Sequence, residues 1–223
     1  MKIRHFIITA FAAASVLMFS SSLFAFGLGL YGTGAKGTAD WTYEDQEYPY
    51  GEYDVKSDVS KIGGGFILDS NLAYDRLFNY RLHIGYSKIK IDNDTGSDIK
   101  GWDYHCYNSF GFGVFRSEPV RIWLGPQIGF GFIDGEYDND LYNDTNEFGT
   151  VFFALGIIAG VNFNMGDVFT LAIDGGYRYS WHGGWATMAN TSGTIDQDYD
   201  VTGKMKEAFV DVSVIFRIGG DVF

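Results

Sequence analysis

Residues 207–218 read E-A-F-V-D-V-S-V-I-F-R-I. Every second residue, Ala208, Val210, Val212, Val214, Phe216 and Ile218, is apolar, and those between are Glu207, Phe209, Asp211, Ser213, Ile215 and Arg217. A strand places successive side chains on opposite faces. This segment is therefore a strand with one wholly apolar face and one mostly polar face. Such a wall suits the boundary between lipid and a polar barrel interior.

The same alternation recurs toward the N-terminus. It predicts strands at 26–36, 59–69, 77–91, 101–115, 120–133, 148–164 and 169–180, with 207–218 as the eighth. In 77–91, Phe78, Tyr80, Leu82, Ile84 and Tyr86 alternate with Asn79, Arg81, His83, Gly85 and Ser87. In 101–115 the apolar face carries Trp102, Tyr104, Cys106, Phe110, Phe112 and Val114, which places Cys106 against lipid. Asn108 breaks that face and Pro126 interrupts the next strand; both read as sites for a bulge. The polar connections 37–58, 134–147 and 181–204 are long, 92–100 is of medium length, and 70–76, 116–119 and 165–168 are shorter. In an up-and-down meander the longer ones all fall on one side, as in bacterial outer-membrane barrels. Lipid cannot satisfy an open sheet edge, so the sheet must close. The expected fold is all-β: a closed, antiparallel, eight-stranded transmembrane barrel.

A secreted soluble barrel with its apolar face inward is the competing fold. Two features favour lipid outside. The apolar faces are bulky while the opposite faces are rich in glycine, and Tyr86, Trp102, Tyr104, Tyr177 and Tyr179 sit near the outer ends of apolar faces, where an aromatic girdle belongs. At the N-terminus, Lys2, Arg4 and His5 precede the apolar run 6–19, then serines and Ala25. That is the pattern of a signal peptide over 1–25, leaving 26–223 as the barrel domain. Its removal takes away Lys2 and Arg4 and moves the net charge from −12 to −14. So acidic a chain is a poor nucleic-acid binder. Cys106 is the only cysteine, which excludes an internal disulfide.

On these grounds the mature chain resembles the small eight-stranded outer-membrane proteins of the OmpA, OmpX and OmpW kind. The resemblance implies outer-membrane lipid and lipopolysaccharide as surroundings and the barrel-assembly machinery as a partner. In the last strand Asp211, Phe216 and Ile218 resemble the signal that machinery reads, with Ser213 where glycine is usual and Phe223 as a terminal aromatic.

Ten charges fall on the inward faces: Lys61, Arg81, Arg121, Arg178 and Arg217 against Asp69, Asp103, Asp174, Glu207 and Asp211. Isolated charges in a narrow interior are costly, so these are expected to pair into a plug. The inward apolar residues Tyr31, Ile67, Tyr107, Phe115, Trp123 and Phe152 support the alternative, an OmpW-like pore for small or apolar solutes. His83 and His105 also face inward. Folding the hairpin about residue 96 sets them four residues, about 13 Å, out of step, too far for one zinc ion. Ser180 and His182 lie where some barrels carry lipid A-modifying chemistry, but residues two apart on a face stand about 7 Å apart, beyond nucleophile–base reach.

The outer connections carry 19 acids, against Lys56, Lys100 and Lys204. They read as a solvated acidic rim for surface contact, or for divalent cations that bridge to lipopolysaccharide. Asp138, Asp140 and Asp144 are oxygen ligands suited to Ca²⁺ but lack the spacing and glycine of an EF-hand loop. No cofactor is expected, and the primary reading is a non-enzymatic barrel with a structural and surface-contact role.

Overall fold

The computed structural model describes residues 26–45, 51–70, 77–94, 98–138, 146–166, 168–189 and 196–218. Residues 1–25, read above as a signal peptide, lie outside them. Eight strands run in order: β1 (Phe26–Asp45), β2 (Glu52–Asp69), β3 (Phe78–Asn93), β4 (Asp98–Arg116), β5 (Val120–Asp138), β6 (Glu147–Met165), β7 (Phe169–Ala189) and β8 (Asp196–Ile218). Each bonds antiparallel to the next, and β1 bonds to β8 from Phe26↔Ile218 to Asp45↔Tyr199, which closes the ring.

The faces fall as the alternation of 207–218 requires. On β8, Val210 is 56% exposed and Val212 49%, while Asp211 between them is 3% exposed. The apolar belt therefore points outward on every strand, with Ile62, Phe66, Tyr86, Trp102, Leu124, Ile157 and Tyr177 among its exposed members. A closed ring that is apolar outside and charged inside is stable only with hydrocarbon around it.

The strands run well past their expected outer ends. β1 has 20 residues, β7 21 and β8 23. Most of 37–58 and 181–204, expected as loops, is strand, and the connections shrink to 46–51, 94–97, 139–146 and 190–195. The inner connection 70–77 is as long as any of these, so the expected loop asymmetry is replaced by an overhang of the strands themselves. The physical reason is that the alternation continues with its polarity reversed. In the outer half of β1, Ala39, Trp41 and Tyr43 are buried, while Lys36, Thr38, Asp40 and Glu44 point out. Val55 and Val59, Ile89 and Ile91, Ile99, Ile133, Phe148, Val201 and Met205 follow the same rule and pack with them into one apolar core. Within the belt the barrel is apolar outside; above it, the barrel is built like a soluble protein.

The wall's main irregularity is also misplaced in the sequence reading. β4 runs through Asn108 without a break, pairing it with Leu82 and Ile128, and β5 pairs Pro126 with Ile157 on β6. The register shifts instead between Gly113 and Phe115. One residue is inserted there, so Val114 and Phe115 are both exposed, at 61% and 52%. Phe115 therefore leaves the lumen that parity had assigned it. Cys106 is outward by register but only 1% exposed. Tyr80 donates to Asn108 Oδ1 at 2.6 Å, and Asn108 Nδ2 lies 3.9 Å from Cys106 Sγ, so this polar niche is covered rather than open to lipid.

The polarity switch makes a direct prediction. Val212→Arg, in the belt, should cost about 2–4 kcal/mol of folding stability in vesicles, against under about 1 kcal/mol for Thr202→Arg on the same face of the same strand above the switch. Urea titration of the two refolded variants measures the difference; equal costs would mean that the belt is misplaced.

Candidate functional site

The lumen is filled in layers. In the lower layer Arg81 is the hub. It faces Asp69 directly across the β2–β3 ladder and bonds it through Nε at 2.8 Å and Nη2 at 2.5 Å. Its Nη1 reaches Asp174 on β7 at 2.5 Å, and Nη2 also donates to Asn162 at 3.0 Å. The guanidinium lies 5.0 Å from the Trp123 ring, whose Nε1 donates to the same Asn162 oxygen at 3.3 Å. Gly160 makes room for that indole: a Cβ there would come within 2.6 Å of it. Arg81, Asp69 and Trp123 are fully buried. Charge-assisted bonds of this kind are the strong ones, and burial makes each partner indispensable to the other.

The upper layer is a second network. Lys61 bridges Asp103 at 2.6 Å and Glu207 at 2.9 Å, and Glu207 also meets Arg178 at 3.5 Å. The Arg178 guanidinium lies 3.9 Å from the Tyr107 ring and 3.5 Å from the Phe209 ring. A cavity of about 10 Å³ remains among Lys61, Asp103, His105, Arg178 and Glu207, roughly the room one water needs. Of the other expected lumen charges, Asp211 bonds Thr33, Arg121 reaches the Leu77 carbonyl at 3.5 Å, and Arg217 donates to Thr170 and the Gly166 carbonyl. All ten turn inward.

The histidines are closer than the sequence implied. Lys90 pairs with Lys100, so the β3–β4 hairpin folds about residue 95; His83 then faces Tyr107, and His105 faces Gly85, two positions apart rather than four. Tyr31 from β1 occupies the space between. Its hydroxyl lies 2.7 Å from His105 Nε2, and its ring meets His83 edge-on at 4.7 Å. His105 Nδ1 lies 3.2 Å from Asp103. No group of three or more metal-ligating side chains occurs among the described residues. Tyr31, Ile67, Tyr107, Trp123 and Phe152 are buried in the lumen as expected, but as filling between charges.

Ser180 and His182 meet despite their spacing along the strand. Ser180 Oγ lies 2.8 Å from His182 Nε2, because the two side chains lean toward each other along one face. His182 Nδ1 points to Thr150 Oγ1 at 3.4 Å, with no carboxylate bonded to it among the described residues, and the ring sits between Trp41 and Phe152. Both residues are 6% exposed and face the closed lumen, away from lipid. Neither contact carried a sequence signal beyond inward parity: Tyr31 and His105 come from β1 and β4, and Thr150 meets His182 only through the β6–β7 register, which sets Phe152 opposite His182.

Of the assembly-signal residues, Asp211 and Ser213 turn inward and Phe216 and Ile218 outward; Phe223 lies outside the described residues. Asp138 ends β5 opposite Asp98, while Asp140 and Asp144 lie outside the described residues. Many of the rim acids stand on strands rather than loops, among them Asp40, Glu52, Asp54, Asp58, Asp134, Glu136 and Asp200.

OprG, an outer-membrane protein of Pseudomonas aeruginosa, superposes with a TM-score of 0.52 at 12% identity, over 89% of this chain and 99% of that one. The chain has the fold of the small eight-stranded outer-membrane barrels. Neisserial surface protein A matches over 82% of this chain and 96% of its own, at 17% identity and a TM-score of 0.36, and AlkL over 92% and 97%, at 12% and 0.39. No protein-family model and no curated protein matches the sequence. At these identities the likeness concerns architecture only, so what this outer-membrane barrel does must come from its own residues.

The Arg81 hub yields a stability prediction. Arg81→Met alone strands two buried carboxylates and should cost about 3–5 kcal/mol. Adding Asp69→Asn and Asp174→Asn should restore most of it. Unfolding midpoints of the refolded single and triple variants test this; a triple variant no better than the single would show that the charges are not what the layer depends on.

Proposed function

We propose that the protein is a closed outer-membrane barrel whose role is structural and interactional, exercised through the charged exterior of its overhang. The observation that carries this reading is the filling of the lumen. Inward side chains are inaccessible both in the Arg81 layer and in the apolar core above, where Ile91, Ile99, Met205 and Ala186 have no exposed surface. An eight-stranded interior is only wide enough for side chains or one small ligand, and here side chains take the space. The overhang, in contrast, holds its carboxylates on hydrogen-bonded strands. A rigid charged rim of this kind presents a defined surface to a cation or a basic partner at little ordering cost.

The pore reading needs a continuous path, and neither charged layer supplies one. The Ser180–His182 contact favours an enzyme only if substrate can reach it. The pair lies beneath Trp41 and Phe148, and Thr150 takes the place an orienting acid would hold.

Planar-bilayer recording of the refolded mature protein separates these readings. The expected result is a heat-modifiable band on a gel and no discrete conductance. Channel steps would promote the pore. Lipid A that changes on expression of the wild type but not of Ser180→Ala would promote the enzyme.

A further inference from the structure

Apart from Lys2 and the lumen's Lys61, every lysine of the chain points outward on the overhang, and β5, β6 and β7 carry none. The lysines therefore lie on one half of the wall, although the chain has net charge −12. One hydrogen-bonded row runs Lys36, Ser60, Lys90, Lys100 across β1 to β4. The row beneath it runs Ile62, Lys88, Trp102. Below that come Tyr86 and Tyr104 of the aromatic girdle, so along β3 Lys88 stands about 7 Å and Lys90 about 13 Å beyond the rings that mark where hydrocarbon ends.

Two features of these rows call for an anion. The first is charge left unbalanced: Lys90, opposed to Lys100 across the β3–β4 ladder, is already met by carboxylates, whereas Lys36 and Lys88 are met by none among the described residues. Asp92 and Asp98 hold Lys90 from above, with Asp98 at 3.2 Å. Lys88 lies 5.6 Å from the Trp102 ring. The second feature is shape. The two rows line a shallow concavity of about 850 Å³ on the outer wall, floored by Gly101 and Gly135, with Asp134 and Glu136 confined to its β5 edge. Its β1–β3 end is cationic, and directly below that end the wall is apolar, with Ile62 and Phe66 each 71% exposed.

We infer that this notch seats the phosphate of an outer-leaflet membrane lipid, with Lys36 and Lys88 as the main contacts and Ser60 as a neutral donor. A lipid phosphate is the anion held at this height, and its acyl chains would continue down the wall past Ile62 and Phe66. The inference rests on the barrel's placement in the outer membrane and not on the rim's contact role.

The test uses the refolded mature protein in detergent, with native mass spectrometry reading retained lipid. The ligands are bisphosphorylated lipid A and the same lipid after dephosphorylation. Each lysine at an anionic lipid surface is worth a factor of about five, so wild type should prefer the phosphorylated form by about thirty-fold. Lys36→Gln/Lys88→Gln should lose most of that preference. Lys204→Gln/Lys206→Gln, which removes the same charge from β8 outside the notch, should keep it. Heat-modifiable mobility confirms that each variant is folded. Equal loss in both double variants would mean diffuse attraction and overturn the site, as would an unchanged preference in the first. Displacement of the lipid by millimolar inorganic phosphate would assign the notch to the free anion and also overturn the lipid reading. Either failure leaves the closed-barrel reading untouched, because conductance does not depend on the notch.

Discussion

Every backbone amide that enters hydrocarbon must be bonded within the wall, and the β1–β8 seam is where this chain meets that demand. The seam also sets the shape. The hydrogen-bonded row that leaves Lys36 passes Ser60, Lys90, Lys100, Glu136, Glu147 and Thr187 and arrives on β8 at Asp198, ten positions from Ala208, the residue Lys36 faces across the seam. That stagger tilts the strands and fixes the radius. The radius in turn decides which side chains fit inside, and the chain answers by setting large residues against absent ones. Trp123 lies over Gly160, and Trp41 over its cross-strand partner Gly203, where a Cβ would come within 2.3 Å of the indole.

A lumen of this width cannot hold charges loosely. Water is scarce, so each ion needs a partner at bonding distance, and partners must come from strands far apart in sequence. Asp69, Arg81 and Asp174 do so from β2, β3 and β7, and Asp103, Lys61, Glu207 and Arg178 from β4, β2, β8 and β7. The apolar core of the overhang then caps these networks from the outer side. It keeps the dielectric low around them, which strengthens each pair and raises the cost of losing one partner. The two halves of the barrel thus depend on each other although their polarities are opposite.

That opposition explains what the sequence disclosed and what it did not. Strict parity was enough to place all ten lumen charges, because the period of a strand is two whatever the environment. It was not enough to place strand ends. In W41-T42-Y43 and V55-K56-S57 the alternation persists, but with apolar residues on the other parity from the belt, and a search for apolar-out segments reads such stretches as loop. Phe115 left the lumen because one inserted residue beyond Gly113 reversed its parity, and no residue type marks that insertion. His83 and His105 moved closer because a shift of one in the hairpin centre changes cross-strand offsets by two. Ser180 and His182 met because side-chain directions, unlike Cα spacings, are set by packing against Trp41 and Phe152.

Closing the lumen moves the chemistry outward, and there the charges are sorted by height. On β1, β3 and β8 the lysines Lys36, Lys88 and Lys206 stand nearest the aromatic girdle, while Glu44, Glu52, Asp54 and Asp200 stand farther out; Asp134, beside Trp102, and Lys56, beside Asp40, depart from that order. The reverse order would set carboxylates beside the anionic surface of the membrane and repel it, at a cost that water above the girdle screens only over a Debye length of about 8 Å. With most cations low and most acids high, the lipid contact proposed for β1–β3 would leave the edge that faces the medium strongly negative. The overhang supplies the height that this separation requires, so the extra strand length is the condition for a surface that meets the membrane and its surroundings with opposite charge.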